Sequence, residues 1–184
     1  TFNVSQSRTK LDQIMRLDSI NGYKVPQQSD LKKPLEELLA KARSIEGISD
    51  IAKVEDFENY IFSFSCDFKD VDALNRLVAE LRKSSKDKRT DIPDVHFSFD
   101  ERSKRYVRTG DYSIKGDFGK MKDADKVIFD GATFTSIFRS EVEVSTFSNN
   151  KAKISPNKKA LMLRMEVLDL INEKANMGNT IQLR

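Results

Sequence analysis

His96 and Cys66 are the two side chains in this sequence whose ordinary pKa values suit proton transfer or nucleophilic attack near neutral pH. Each is the sole member of its type. A general acid or base is the sharpest role open to His96. Its strand pattern argues against that role. Val95, Phe97 and Phe99 alternate with His96, Ser98 and Asp100, so the imidazole falls on the polar face, and a surface histidine is expected. Cys66 would need a lowered pKa and a partner base to act as a nucleophile. It lies on the phenylalanine face of its strand, so an inert, buried thiol is expected. Without a second Cys or His, zinc ligation of the usual type cannot be assembled.

The carboxylates offer a second kind of chemistry. Asp67, Asp70 and Asp72 form one cluster, and Asp117, Asp123 and Asp125 another. Neither has the alternating ligands, central glycine and closing glutamate of a helix–loop–helix calcium loop. Helix capping accounts for Asp70 and Asp72, and a solvated loop for the others. Gly116-Asp117-Phe118-Gly119 is too sparse for a phosphate-cradling loop. No nucleophile elbow or kinase set is present. No catalytic, cofactor-binding or metal-binding residue is therefore assigned, and no cofactor is expected.

The strongest basic stretch runs through Arg82, Lys83, Lys86, Lys88 and Arg89, then Arg102, Lys104, Arg105 and Arg108. Phe97, Phe99 and Tyr106 are interleaved with it, a mixture that can bind single-stranded nucleic acid. Asp87, Asp91, Asp94, Asp100 and Glu101 dilute the charge. A solvated loop with charged edge protection is the expected reading, and no nucleic-acid partner is expected. A net charge of +3 from 32 basic and 29 acidic residues gives no further support to such a partner.

These groups must be held by an ordinary fold. The chain has 184 residues, the size of a single domain spanning 1–184, with a sub-division near 109–131 as the alternative. No apolar run reaches the roughly 18 residues of a membrane span. The chain begins at Thr1 rather than Met, so a segment removed upstream is expected.

Residues 59–83 give the clearest element signal. Tyr60, Phe62, Phe64, Cys66 and Phe68 alternate with Ile61, Ser63, Ser65 and Asp67, which is strand spacing. Beyond Asp70, Val71, Leu74, Leu77, Val78 and Leu81 follow helical spacing. An earlier helix is expected from Ser29 or Asp30, with Leu31, Leu35, Leu38, Leu39, Ala42 and Ile45 as its stripe and Gly47 as its stop. Residues 48–55 read as a strand that returns through a turn at 56–59. Residues 1–5 read as a short strand, 8–20 as a short helix, and Asn21-Gly22 as a turn.

Further along, 95–99 and 105–108 pair across a turn at 101–104, and 109–131 is mostly loop. Phe134, Ser136 and Phe138 form one face of a strand, and Val142 and Val144 belong to another. Residues 152–154 lead into the turn 155–158. Leu161, Leu163, Met165 and Val167 line a strand, 168–177 is a short helix stopped at Gly178, and 179–183 a last strand. Consecutive hairpins with one-sided alternation imply an α+β fold. Its antiparallel sheet is built from hairpins, with helices packed on one face.

Two segments, Ile48–Val78 with its Phe-Lys-Asp-Val-Asp-Ala-Leu-Asn turn and Gly131–Leu183, resemble secreted lipoproteins of Gram-negative envelopes, broadly the LppM-like α+β class. The resemblance implies export by a signal peptide and a lipidated cysteine upstream of Thr1. It also implies a periplasmic or cell-surface location, including the outer membrane, and it brings no catalytic residues. The expected function is that of a non-catalytic, envelope-anchored domain that binds an envelope protein or an apolar, lipid-like ligand. Its membrane contact would come only through the upstream lipid. Phe134, Phe138 and Phe147 are the candidates for a contact surface, should they prove exposed. The alternatives are a nucleic-acid binder using 82–108 and an enzyme with a carboxylate-based site in 109–131. The oligomeric state is not indicated.

Overall fold

The computed structural model describes residues 2–3, 19–20, 23–24, 28–56, 58–59, 61–84, 95–110, 113, 115–126 and 129–184. It is an α+β structure with antiparallel sheets. The chain divides into two compact units, residues 1–88 and 89–184. The boundary lies ahead of 109–131, where the sequence had suggested a sub-division, and that segment falls inside the second unit.

The first unit contains strands β1 (Phe2–Asn3), β2 (Ser19–Ile20) and β3 (Tyr23–Lys24), helix α1 (Gln28–Arg43), strands β4 (Ile48–Asp56) and β5 (Ile61–Phe68), and helix α2 (Val71–Ser84). Its sheet has the order β1-β5-β4, and β2 pairs with β3 separately. The helix expected over 8–20 and the Asn21-Gly22 turn lie outside the described residues, except that Ser19–Ile20 is strand rather than helix.

Side-chain chemistry explains the junctions. The Asp56 carboxylate closes the β4–β5 turn by accepting the Asn59 amide at 2.9 Å and its side-chain amide at 2.8 Å. Asp70 caps α2 as expected, accepting the Ala73 amide at 2.8 Å. Helix α1 starts at Gln28, so Ser29 and Asp30 sit inside its first turn rather than capping it. The two helices pack on each other and on the sheet, burying Leu39 and Ala42 of α1 with Ala73 and Leu77 of α2. Gly47 has φ 85°, and a Cβ there would lie 3.1 Å from that of Ala73, so the bend after α1 requires glycine. Glu36 of α1 pairs with Lys53 of β4, which lowers the pKa of the carboxylate and raises that of the ammonium.

The second unit contains β6 (Phe97–Asp100), β7 (Arg105–Arg108), helices α3 (Lys115–Lys120) and α4 (Asp123–Lys126), β8 (Thr133–Arg139), β9 (Val144–Phe147), β10 (Ala152–Ile154), β11 (Ala160–Glu166), helix α5 (Val167–Ile171) and β12 (Asn179–Leu183). Two sheets form, ordered β10-β11-β8 and β6-β7-β12-β9. Val144, Leu161 and Ile181 make the core, with Tyr106, Phe138, Phe147, Ala152 and Leu183 packed around them. The alternation expected along β8 and β11 is present, with Leu161, Leu163 and Met165 buried on one face. Burying those three contributes on the order of 2 kcal/mol each.

Three expectations are refined here. The segment 109–131, expected to be mostly loop, holds the short helices α3 and α4, and Phe118 of α3 meets Phe129, beyond α4, edge to face at 5.7 Å. Glycine frequency suggested a loop there, but Phe129 gives α3 a local apolar contact, and Lys126 of α4 lies 5.6 Å from the centre of the Phe118 ring. Val142 is outside strand β9 and exposed, and pairing begins at Val144. Helix α5 ends at Ile171, well short of Met177. The Asp169 carbonyl takes the amides of both Lys174 and Ala175, and Glu173 adopts φ 61°, which terminates the helix.

Candidate functional site: a polar cleft beside the four-stranded sheet

His96 is 8% exposed rather than on the surface. Its carbonyl accepts the Thr109 amide at 2.9 Å, which extends the β6–β7 ladder by one pair beyond the strand. The strand pattern gave the face of His96 but could not tell that this face is covered. Cys66 belongs to the first unit and is half-buried, and burial, with a smaller contribution from Asp67, pushes its thiol pKa up. A raised pKa leaves little thiolate at neutral pH.

Two of the six carboxylates are engaged by local structure. Asp70 caps α2, and Asp123 pairs with Lys126 at 2.9 Å. Among the described residues no three His, Cys, Asp or Glu side chains converge as a metal site would require. The basic segment is divided. Arg82 and Lys83 belong to α2, Lys83 pairing with Glu80 at 2.7 Å. Arg102, Lys104 and Arg105 are exposed on the β6–β7 hairpin, and Lys86, Lys88 and Arg89 lie outside the described residues. The phenylalanines proposed as a contact surface are half-buried instead. Phe138 and Phe147 pack on the core, and Phe134 lies beneath Arg108.

A cleft of about 520 Å³ is present in the second unit, between the end of β7, the β9–β10 connection and the loop entering β12. Its walls are held by asparagine side chains acting as backbone partners. Asn179 Oδ1 accepts the amides of Ser148 at 3.1 Å and Asn149 at 3.0 Å. Asn149 Nδ2 donates to the Gly178 carbonyl at 2.8 Å and the Asn176 carbonyl at 3.2 Å. Ser148 Oγ accepts the Thr180 amide at 2.8 Å. These bonds satisfy backbone groups where two irregular segments meet. Gly110 and Gly178 allow the closest approach, because a Cβ on Gly110 would lie 2.3 Å from the Gly178 nitrogen.

With those groups engaged, the charge of the cleft comes from Arg108, Lys151 and Lys174, and no Asp or Glu lines it among the described residues. Lys151 reaches Asp169, outside the lining, at 3.7 Å with both side chains partly exposed. Arg108 is turned inward, donating from Nη1 to Ser136 Oγ at 2.8 Å and from Nη2 to Met177 Sδ at 3.4 Å. The cleft can attract an anionic group. In the sequence, Asn176 read as helix, Gly178 as its stop and Asn179 as strand, and nothing marked them or Asn149 as partners, because their role depends on segments about 30 residues apart meeting in space.

No protein-family model, no curated protein and no solved structure matches this chain.

Proposed function

We propose that this chain is a non-catalytic binding domain of the cell envelope, held to a membrane by an upstream lipid, and that it engages an acidic segment of an envelope protein through the cleft. The supporting observation is the described lining of that cleft, in which Arg108, Lys151 and Lys174 are the charged residues. A polar, cationic cleft suits carboxylates better than an apolar chain, which favours a protein over the lipid-like ligand. The envelope assignment rests on the resemblance carried by Ile48–Val78 and Gly131–Leu183. No helix among the described residues is long and apolar enough to cross a membrane.

Calorimetric titration of the whole chain with a glutamate-rich peptide at low salt tests the reading. Saturable binding that weakens at least tenfold in Lys151→Glu/Lys174→Glu supports it. No saturable binding of the peptide overturns it, as does binding confined to phosphatidylglycerol vesicles, which would identify a lipid headgroup instead. Envelope fractionation of cells expressing the gene, with and without its upstream coding sequence, tests the location.

A further inference from the structure

Strand β8 pairs with β11 on one side only and forms an edge of its sheet. Two hydrogen bonds bracket the ladder: Val167 N donates to the Ala132 carbonyl at 2.8 Å, and Ser140 N to the Lys159 carbonyl at 2.9 Å. Both involve even-numbered residues on the β8 side. Backbone groups alternate direction along an antiparallel strand, so Thr133, Thr135, Ile137 and Arg139 turn their N–H and C=O groups to the open edge. All four are exposed. No backbone partner meets them on that side among the described residues.

The other edges are blunted. β4 carries a register shift between Ser49 and Ala52, with Asp50 at φ 50° and charges at Lys53 and Glu55. β6 and β9 have four residues each and β10 three, one of them Lys153. Short length, charge and bulges are the usual protections of an edge strand. β8 has seven residues, an unbroken register with β11, and one charge, at its last position. Beside it, Ile137 and Met162 face each other in register and are both exposed.

We propose that β8 is a pairing edge and that a second copy of this chain adds to it, β8 against β8, antiparallel and centred on Ser136. The strand is self-complementary in that register. Thr133 falls opposite Arg139 of the second copy and Thr135 opposite Ile137, so every residue with free edge groups meets another. All four residues of each strand then exchange both backbone bonds. The two Arg139 cations stand at opposite ends, each facing a threonine rather than one another. Phe134 falls opposite Phe138 on the inner face. The two three-stranded sheets become one continuous sheet of six strands, with Ile137 of each copy near its middle.

Sedimentation of the whole chain across the micromolar to millimolar range tests this, with a mass twice 21.1 kDa expected to grow in with concentration. Thr133→Arg places like charges opposite each other twice per dimer and should weaken association roughly tenfold, while Thr133→Glu should strengthen it by a similar factor. Within one chain Thr133 lies opposite Glu166. The same two substitutions should therefore shift folding stability in the opposite sense, which separates association from folding. Ile137→Pro removes an N–H that the isolated chain does not use and should abolish the dimer with an unchanged far-ultraviolet spectrum. A single-chain mass at every concentration overturns the proposal. So does a dimer that neither Thr133→Arg nor Ile137→Pro disturbs.

Discussion

The Arg108 guanidinium lies 5.3 Å from the centre of the Phe134 ring, and Phe97 stands 5.7 Å away from the same group. A half-buried cation usually needs a carboxylate. Here no carboxylate forms an ion pair with Arg108 among the described residues. Two aromatic faces, the Ser136 hydroxyl and the Met177 sulfur supply its surroundings instead. Arg108 is on β7 and Phe134 on β8, so the contact ties the two sheets of the second unit together.

Arg108→Ala should therefore destabilise the chain by about 2 kcal/mol, combining lost ring contacts with a lost charge-assisted bond. Arg108→Lys keeps the charge but loses the planar group and should cost about half as much. Urea unfolding followed by circular dichroism measures both. Equal midpoints for Arg108→Ala and the parent chain would remove Arg108 from the account of the fold.

Gly110→Ala tests the cleft wall. The added methyl would sit 2.3 Å from the Gly178 nitrogen and 2.9 Å from its Cα, both backbone atoms that cannot rotate away. The β7 end must separate from the β12 entry, at a cost of roughly 3 kcal/mol. Thermal unfolding reports the loss. Amide shifts of Ser148, Asn149 and Asn179 should move with it, because their bonds span the same junction.

Tyr106 gives a pH signature. Burial raises its phenol pKa from 10.0 to about 12, against a smaller opposing effect from Arg108. The folded state thus holds its proton more tightly than the unfolded state. This contribution is complete below pH 10 and is lost as the pH rises from 10 towards 12. Absorbance of the phenolate band should show Tyr106 titrating late in the native chain and normally in urea. Four tyrosines ionising together in the folded protein would contradict the burial of Tyr106.

Elements whose signal was local were legible in the sequence. The period change at Asp70 gave β5, the cap and α2 because strand alternation, a capping carboxylate and a helical stripe all act within a few residues. Phe134 and Phe138 were placed on the correct face of β8, but their exposure depended on a second sheet that alternation does not report. His96 shows the same limit. The cleft was hidden because Asn149 and Asn179 act across about 30 residues, and such pairings leave no periodicity. The helical turns at 115–126 were masked by Gly116 and Gly119, whose propensity argues against the helix they occupy.

β12 occupies an interior position in its sheet, with β7 on one side and β9 on the other. Those neighbours are about 70 and 35 residues earlier, yet they meet through the strand that leaves the ribosome last among those described. During synthesis the β6–β7 hairpin and β9 must wait without the strand that joins them, while the unit spanning 1–88 has all its strands available. The order of translation therefore favours an early first unit and a late, abrupt closure of the second. A chain stalled before Asn179 would leave the β12-facing edges of β7 and β9 open in addition to β8, which makes this interval the one in which a holding chaperone would matter most.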